Sequence, residues 1–128
     1  MRSLPLAGAV LLLALAGCDN SQGQDDQSVA YRETVRCYNA AADYAQQFVV
    51  SGSNDEAMAM MGYSAELRGK AYALGARIGK SRAAVRADFH DDDAAFVHKF
   101  YNFGGGAMTL TDFGNGEVAH CSLDKVLQ

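Results

Sequence analysis

From Tyr31 onward the apolar residues recur at helical intervals, and no proline interrupts them, because the single proline of the chain is Pro5. Proline is the strongest helix breaker, and a 3.6-residue period gathers apolar side chains on one face. The pattern therefore restricts the folded part to helices. Tyr31, Val35, Tyr38, Ala42, Ala45 and Val49 are spaced four, three, four, three and four apart, beside a second row of Cys37, Ala41, Tyr44 and Phe48. A first helix is predicted from near Val29. Ser51-Gly52-Ser53-Asn54 stops it and supplies capping oxygens for the next.

A second helix is predicted over 55–78, with Met60, Leu67, Ala71, Leu74 and Ile78 in its apolar row. Glu66 and Lys70 stand four apart in the favourable order. Gly79 suits the position after a helix end and Ser81 the next N-cap. A third helix is predicted over 82–102, carrying Val85, Phe89, Phe96 and Phe100. Asp91-Asp92-Asp93 is poor helix material and marks a kink or break, and Gly104-Gly105-Gly106 ends the element.

The final stretch supports two readings. As a helix it must tolerate Gly114 and Gly116, each costing about 1 kcal/mol relative to alanine. As a hairpin, Met108-Thr109-Leu110-Thr111 and Glu117-Val118-Ala119-His120 flank an Asn115-Gly116 turn. Two strands alone are marginal, so a helix is favoured for 117–127, with 107–116 left open. The expected fold is all-α: a small bundle of about four antiparallel helical segments.

The first residues are of another kind. Arg2 is followed by a small and apolar run from Leu4 to Ala16, shorter than the roughly 20 residues that span a bilayer. A charged start, a short apolar stretch and small residues before a cut define a secretory signal. Leu15-Ala16-Gly17-Cys18 resembles the lipobox of bacterial lipoproteins. The resemblance covers residues 1–19 and implies a signal peptide over 1–17 and lipidation of Cys18. It also implies a membrane attachment facing the periplasm. A processed lipoprotein carries three acyl chains, and at about 0.8 kcal/mol per buried methylene more than one chain makes anchoring stable. Asp19 resembles the inner-membrane retention signal of enterobacterial lipoproteins. Residues 18–28 hold no apolar side chain after Cys18 and read as a flexible tether, reaching roughly 15–20 Å. The helical domain then occupies 29–128.

With Cys18 assigned to lipid, the three cysteines leave an even pair, Cys37 and Cys121. In an oxidising periplasm that pair is expected to form a disulfide. It would close a loop of 84 positions and contribute about 4 kcal/mol in the chain-entropy model. Cys37 lies about eight residues into the first helix, roughly 12 Å at 1.5 Å per residue, and Cys121 lies a similar distance from the chain end. In up-down-up-down order the two fall at matching heights.

Charge narrows the partners. Losing Arg2 with the signal leaves ten basic against fifteen acidic residues, a formal charge of −5. That balance argues against nucleic acid and anionic lipid surfaces, which require basic patches. No Gly-x-Ser-x-Gly, Cys-x-x-Cys, His-Glu-x-x-His or phosphate loop is present, and three scattered histidines assemble no triad. A non-enzymatic protein without a cofactor is expected. Met58, Met60 and Met61 could offer soft thioethers to Cu(I), although methionines at helical positions are core fillers as a rule. His90, Asp91-Asp92-Asp93 and His98 could meet a divalent cation, but the histidines do not share a helix face, and a solvated acidic turn is favoured. His120 and Asp124 read as a surface pair. Two functions follow: a lipid-tethered interaction or envelope-support module with an envelope protein partner, or periplasmic copper binding through Met58, Met60 and Met61.

Overall fold

A computed structural model describes the backbone of residues 4–102 and 114–128, and the side chains of residues 25–95 and 116–128. Helix α1 spans Leu4–Ser51, α2 Asn54–Arg77 and α3 Arg82–Asn102. A π-helical turn, Gly114–Val118, and a 3-10 helix, Leu123–Leu127, form the C-terminal segment. No strand occurs among the described residues. This is the all-α antiparallel bundle that the spacing predicts, stapled by Cys37–Cys121.

Two glycine turns set the helix hairpins. Gly52 adopts φ +80° after α1, and Gly79 adopts φ +82° after α2. At the first turn, Gly52 N–H donates to the Val49 carbonyl at 3.1 Å and Ser53 N–H to Phe48 at 2.9 Å. At the second, Gly79 donates to Ala76 at 3.2 Å and Lys80 to Gly75 at 2.8 Å. Each pair satisfies carbonyls that the helix end would orphan, at a backbone conformation only glycine adopts without penalty. Ser81 Oγ then accepts from Ala84 N–H at 3.1 Å, the expected N-cap of α3. Ser53 differs from expectation: its side chain caps nothing, and only its carbonyl opens α2, accepting from Ala57.

Three further expectations are corrected. Residues 18–28, read as a flexible tether, lie within α1. Their polar side chains are mediocre helix formers, but Gly23 is the one strong breaker, and extending a formed helix costs less than nucleating one. Helix α3 runs unbroken through Asp91-Asp92-Asp93. Contacts with α1 offset the low propensity of aspartate: Asn39 Nδ2 donates to both the Phe89 carbonyl and the Asp92 carboxylate, each at 2.9 Å.

The third correction concerns the C-terminus. Residues 117–127 are helical but not one α-helix, and the hairpin reading fails because Glu117–His120 is helical. Val118, Cys121 and Leu123 are all buried. At about 100° per residue, Leu123 would lie roughly 140° around an ideal helix from Val118. Ser122 resolves the conflict by adopting φ 55°, which turns the chain and returns Leu123 to the core. Residues 103–113, including Gly104-Gly105-Gly106 and the first proposed strand, lie outside the described residues.

The core has two parts. Tyr31, Val35, Ala71, Val85 and Phe89 fill the end nearest the α2–α3 turn. Ala40, Ala41, Ala45, Met60, Leu67, Val118, Cys121 and Leu123 fill the other. Tyr38 packs against both, its ring 4.6 Å from that of Phe89. Gly75 lets three helices meet: a Cβ there would stand 2.6 Å from Val85 Cγ2 and 3.3 Å from the Tyr31 ring. No helix among the described residues is long and apolar enough to cross a membrane.

Candidate functional site

The side chain of Cys18, with the rest of Leu15-Ala16-Gly17-Cys18 and Asp19, lies outside the described residues. Cys37 and Cys121 are joined, with Cα atoms 5.5 Å apart. Polar links surround this bridge. Arg36 donates to Glu117 through Nε at 2.9 Å and Nη2 at 2.7 Å, a fork-on-carboxylate pair. The hydrogen bond it donates to Glu117 pushes the Arg36 guanidinium further above its ordinary range. His120 pairs with Glu33 at 2.6 Å, not with Asp124 as the sequence suggests. Asp124 instead meets the Tyr44 hydroxyl, whose proton is held more firmly, first by burial and then by that carboxylate.

The methionines do not converge. Met60 is completely buried, whereas Met58 is 71% and Met61 49% exposed. Met58 and Met61 share an outer face of α2, and Met60 points the opposite way into the core. A site needing all three thioethers has no geometric basis in this fold.

The acidic run also divides. Asp91 and His90 are both highly exposed and stand 3.8 Å apart. Asp92 is held by Asn39. Asp93 reaches Asp43 of α1, a residue that no sequence pattern singles out. Burial, then the charge of Asp93 and a hydrogen bond to it, raise the Asp43 carboxyl to about 7. The side chain of His98 lies outside the described residues. Asp92 and Asp93 are therefore contacts between helices, while Asp91 is the solvated member of the run.

One cleft of about 330 Å³ opens beside Ser28, Tyr31, Arg32, Lys80 and Asp88. The Tyr31 hydroxyl donates to Asp88 Oδ2 at 2.6 Å, and Lys80 Nζ lies 2.9 Å from the same oxygen. The Lys80 ammonium also stands 5.4 Å from the centre of the Tyr31 ring. Burial first, and then Asp88, drive the Tyr31 hydroxyl far above its ordinary range. The Tyr31 and Lys80 bonds draw Asp88 below the usual carboxylate range. Tyr31 thus remains a donor and Asp88 an acceptor across neutral pH, so the trio latches α1 to the α2–α3 turn. Periodicity marks Tyr31 as apolar, and only its hydroxyl partner, 57 positions away, reveals the second role.

Comparison with protein-family models, with curated proteins and with solved structures yields no match.

Proposed function

We propose that this chain is a lipid-anchored envelope protein whose helical domain works by binding rather than by catalysis. The observation that carries the reading is the partition of the cysteines. Cys37 and Cys121 pair with each other, which leaves Cys18, at the end of Leu15-Ala16-Gly17-Cys18, available for a diacylglycerol. A disulfide belongs to an oxidising compartment, which agrees with export. In this reading the domain faces the periplasm, and Asp19 favours the inner membrane.

Support for binding comes from the α1–α2 end of the bundle. Val49 and Val50 close α1, Met58 and Met61 begin α2, and all four are exposed. Exposed apolar side chains of this size mark contact surfaces when they gather, which suits an envelope protein partner.

Metabolic labelling with a fatty acid tests the anchor. Label should enter the wild-type protein and fail to enter Cys18→Ser. Persistence of label in the variant would end the lipoprotein reading.

A further inference from the structure

We propose that the groove between α2 and α3 lined by Arg68, Arg82 and Arg86 is a binding site for a phosphate-bearing anion. The proposal supplies a ligand class for the binding role above and rests on that role, but not on lipidation of Cys18.

The sequence carries the first part of the case. From Leu67 to Ala87 the chain contains Arg68, Lys70, Arg77, Lys80, Arg82 and Arg86 and no acidic residue. The chain as a whole has a formal charge of −4. Overall charge therefore conceals a strongly basic segment, and the argument from net charge against anionic partners does not extend to this face.

Folding concentrates that charge. Ala65, Arg68, Gly69 and Tyr72 lie on one face of α2, and Arg82 and Arg86 lie one turn apart on α3. Together they enclose a groove of about 460 Å³. That volume falls within the range of about 300–1,000 Å³ typical of small-ligand sites. Two of the lining residues, Ala65 and Gly69, are small, and Gly69 has open space where a side chain would be.

Among the described residues the three guanidiniums have no carboxylate partner. Two cations outside the groove are paired, Arg36 with Glu117 and Lys80 with Asp88. Among the described residues Arg68 and Arg86 make no ion pair, and Arg82 lies instead over the ring of Tyr72, at 4.2 Å. Carboxylates outnumber cations in this chain, so a shortage of acids does not explain the gap. Helix α3 also opens with Arg82 and has no acidic residue in its first turn, the reverse of what its dipole favours. The arrangement costs local stability through mutual repulsion, and a bound anion would reverse that cost.

Arginine is suited to the task. Its planar fork matches the oxygens of a phosphate and stays charged at any physiological pH. Arg82 is partly preorganised, because Tyr72 beneath it is held edge-on against Phe89 at 5.5 Å. The guanidiniums are exposed, so affinity should fall steeply with salt. A free phosphate and a lipid-headgroup phosphodiester both present anionic phosphate oxygens to such a fork. The α2–α3 turn sits beside Tyr31, at the end from which α1 continues toward its N-terminus, so a headgroup is within the geometry.

The test uses the full-length protein in zwitterionic detergent micelles at low ionic strength. Inorganic phosphate and glycerophosphoglycerol are titrated separately, with chloride as the control, and arginine side-chain NMR signals are followed. Saturable shifts at Arg68, Arg82 and Arg86 are expected. Arg82→Gln combined with Arg86→Gln should weaken binding by about tenfold or more, and Lys125→Gln should leave it unchanged. All three are surface positions, so the variants should fold and melt at or slightly above the wild-type temperature. Tighter binding of glycerophosphoglycerol assigns the site to headgroups, and tighter binding of inorganic phosphate assigns it to free phosphate. Absence of saturation, an equal response to chloride, or undiminished binding in the double variant would overturn the proposal. Fatty-acid labelling of Cys18 reads none of these quantities, so the two proposals fail separately.

Discussion

Asp43 of α1 and Asp93 of α3 face each other across the bundle and share a hydrogen bond, which requires a proton on one of them. Two carboxylates so placed cannot both ionise freely.

This pair makes stability depend on pH in an unusual direction. The Asp43 carboxyl is raised from 3.8 to about 7 in the fold, so the native state holds a proton that the unfolded chain releases. The stabilising contribution is full below about pH 4 and is lost as pH rises through 7. After discounting for solvent access, the loss should be about 1–2 kcal/mol. Urea denaturation at pH 5 and pH 8 checks it. Asp43→Asn should flatten the difference between the two, and an unchanged difference would remove the pair as its source.

The Cys37–Cys121 bridge should resist alkylation in unreduced protein. Reduction, or Cys121→Ser, should lower stability by about 2–4 kcal/mol. Thermal melts with and without reductant measure this. Full modification of both thiols without reductant would contradict the bridge.

Gly75→Ala should destabilise by about 1–3 kcal/mol, although alanine is the better helix former, because the new methyl would stand 2.6 Å from a branched valine carbon that cannot swing away. Gly62 on the same helix has nothing within 4 Å of the place its methyl would take, so Gly62→Ala should stabilise by up to about 1 kcal/mol. Opposite signs for two identical substitutions would be a direct reading of the packing by chemical denaturation.

The methionines should separate in the same way. Met60→Ala should cost about 2–5 kcal/mol, whereas Met58→Ala and Met61→Ala should stay within about 0.5 kcal/mol. Competitive Cu(I) titration of the same variants addresses the copper reading. A stoichiometric site lost equally in all three would require Met60 to leave the core.

Much of the helical plan was legible because its punctuation is chemical. Gly52 and Gly79 sit where left-handed turns are needed, and Ser81 sits where an orphan amide needs an oxygen. The cysteine count led to the correct bridge. Other features depend on partners distant in the chain. Nothing near Asp43 signals that Asp93 will face it, and nothing near Gly75 signals that Val85 and Tyr31 will close on it. Asn39 and Ser64 are polar yet buried, so an apolar periodicity passes over them. The C-terminal segment could not follow one helical period, because Val118, Cys121 and Leu123 must all turn inward. Net charge, being a sum, could not reveal the basic groove between α2 and α3.

The Cys37–Cys121 bridge also defines a route for mechanical force. Tension applied to the two ends of the chain would travel along α1 to Cys37, cross the sulfurs to Cys121 and leave through residues 122–128. Helices α2 and α3 belong to the loop that this shortcut bypasses. They would stay slack under a pull, with the arginine groove undistorted, until the bridge itself was reduced.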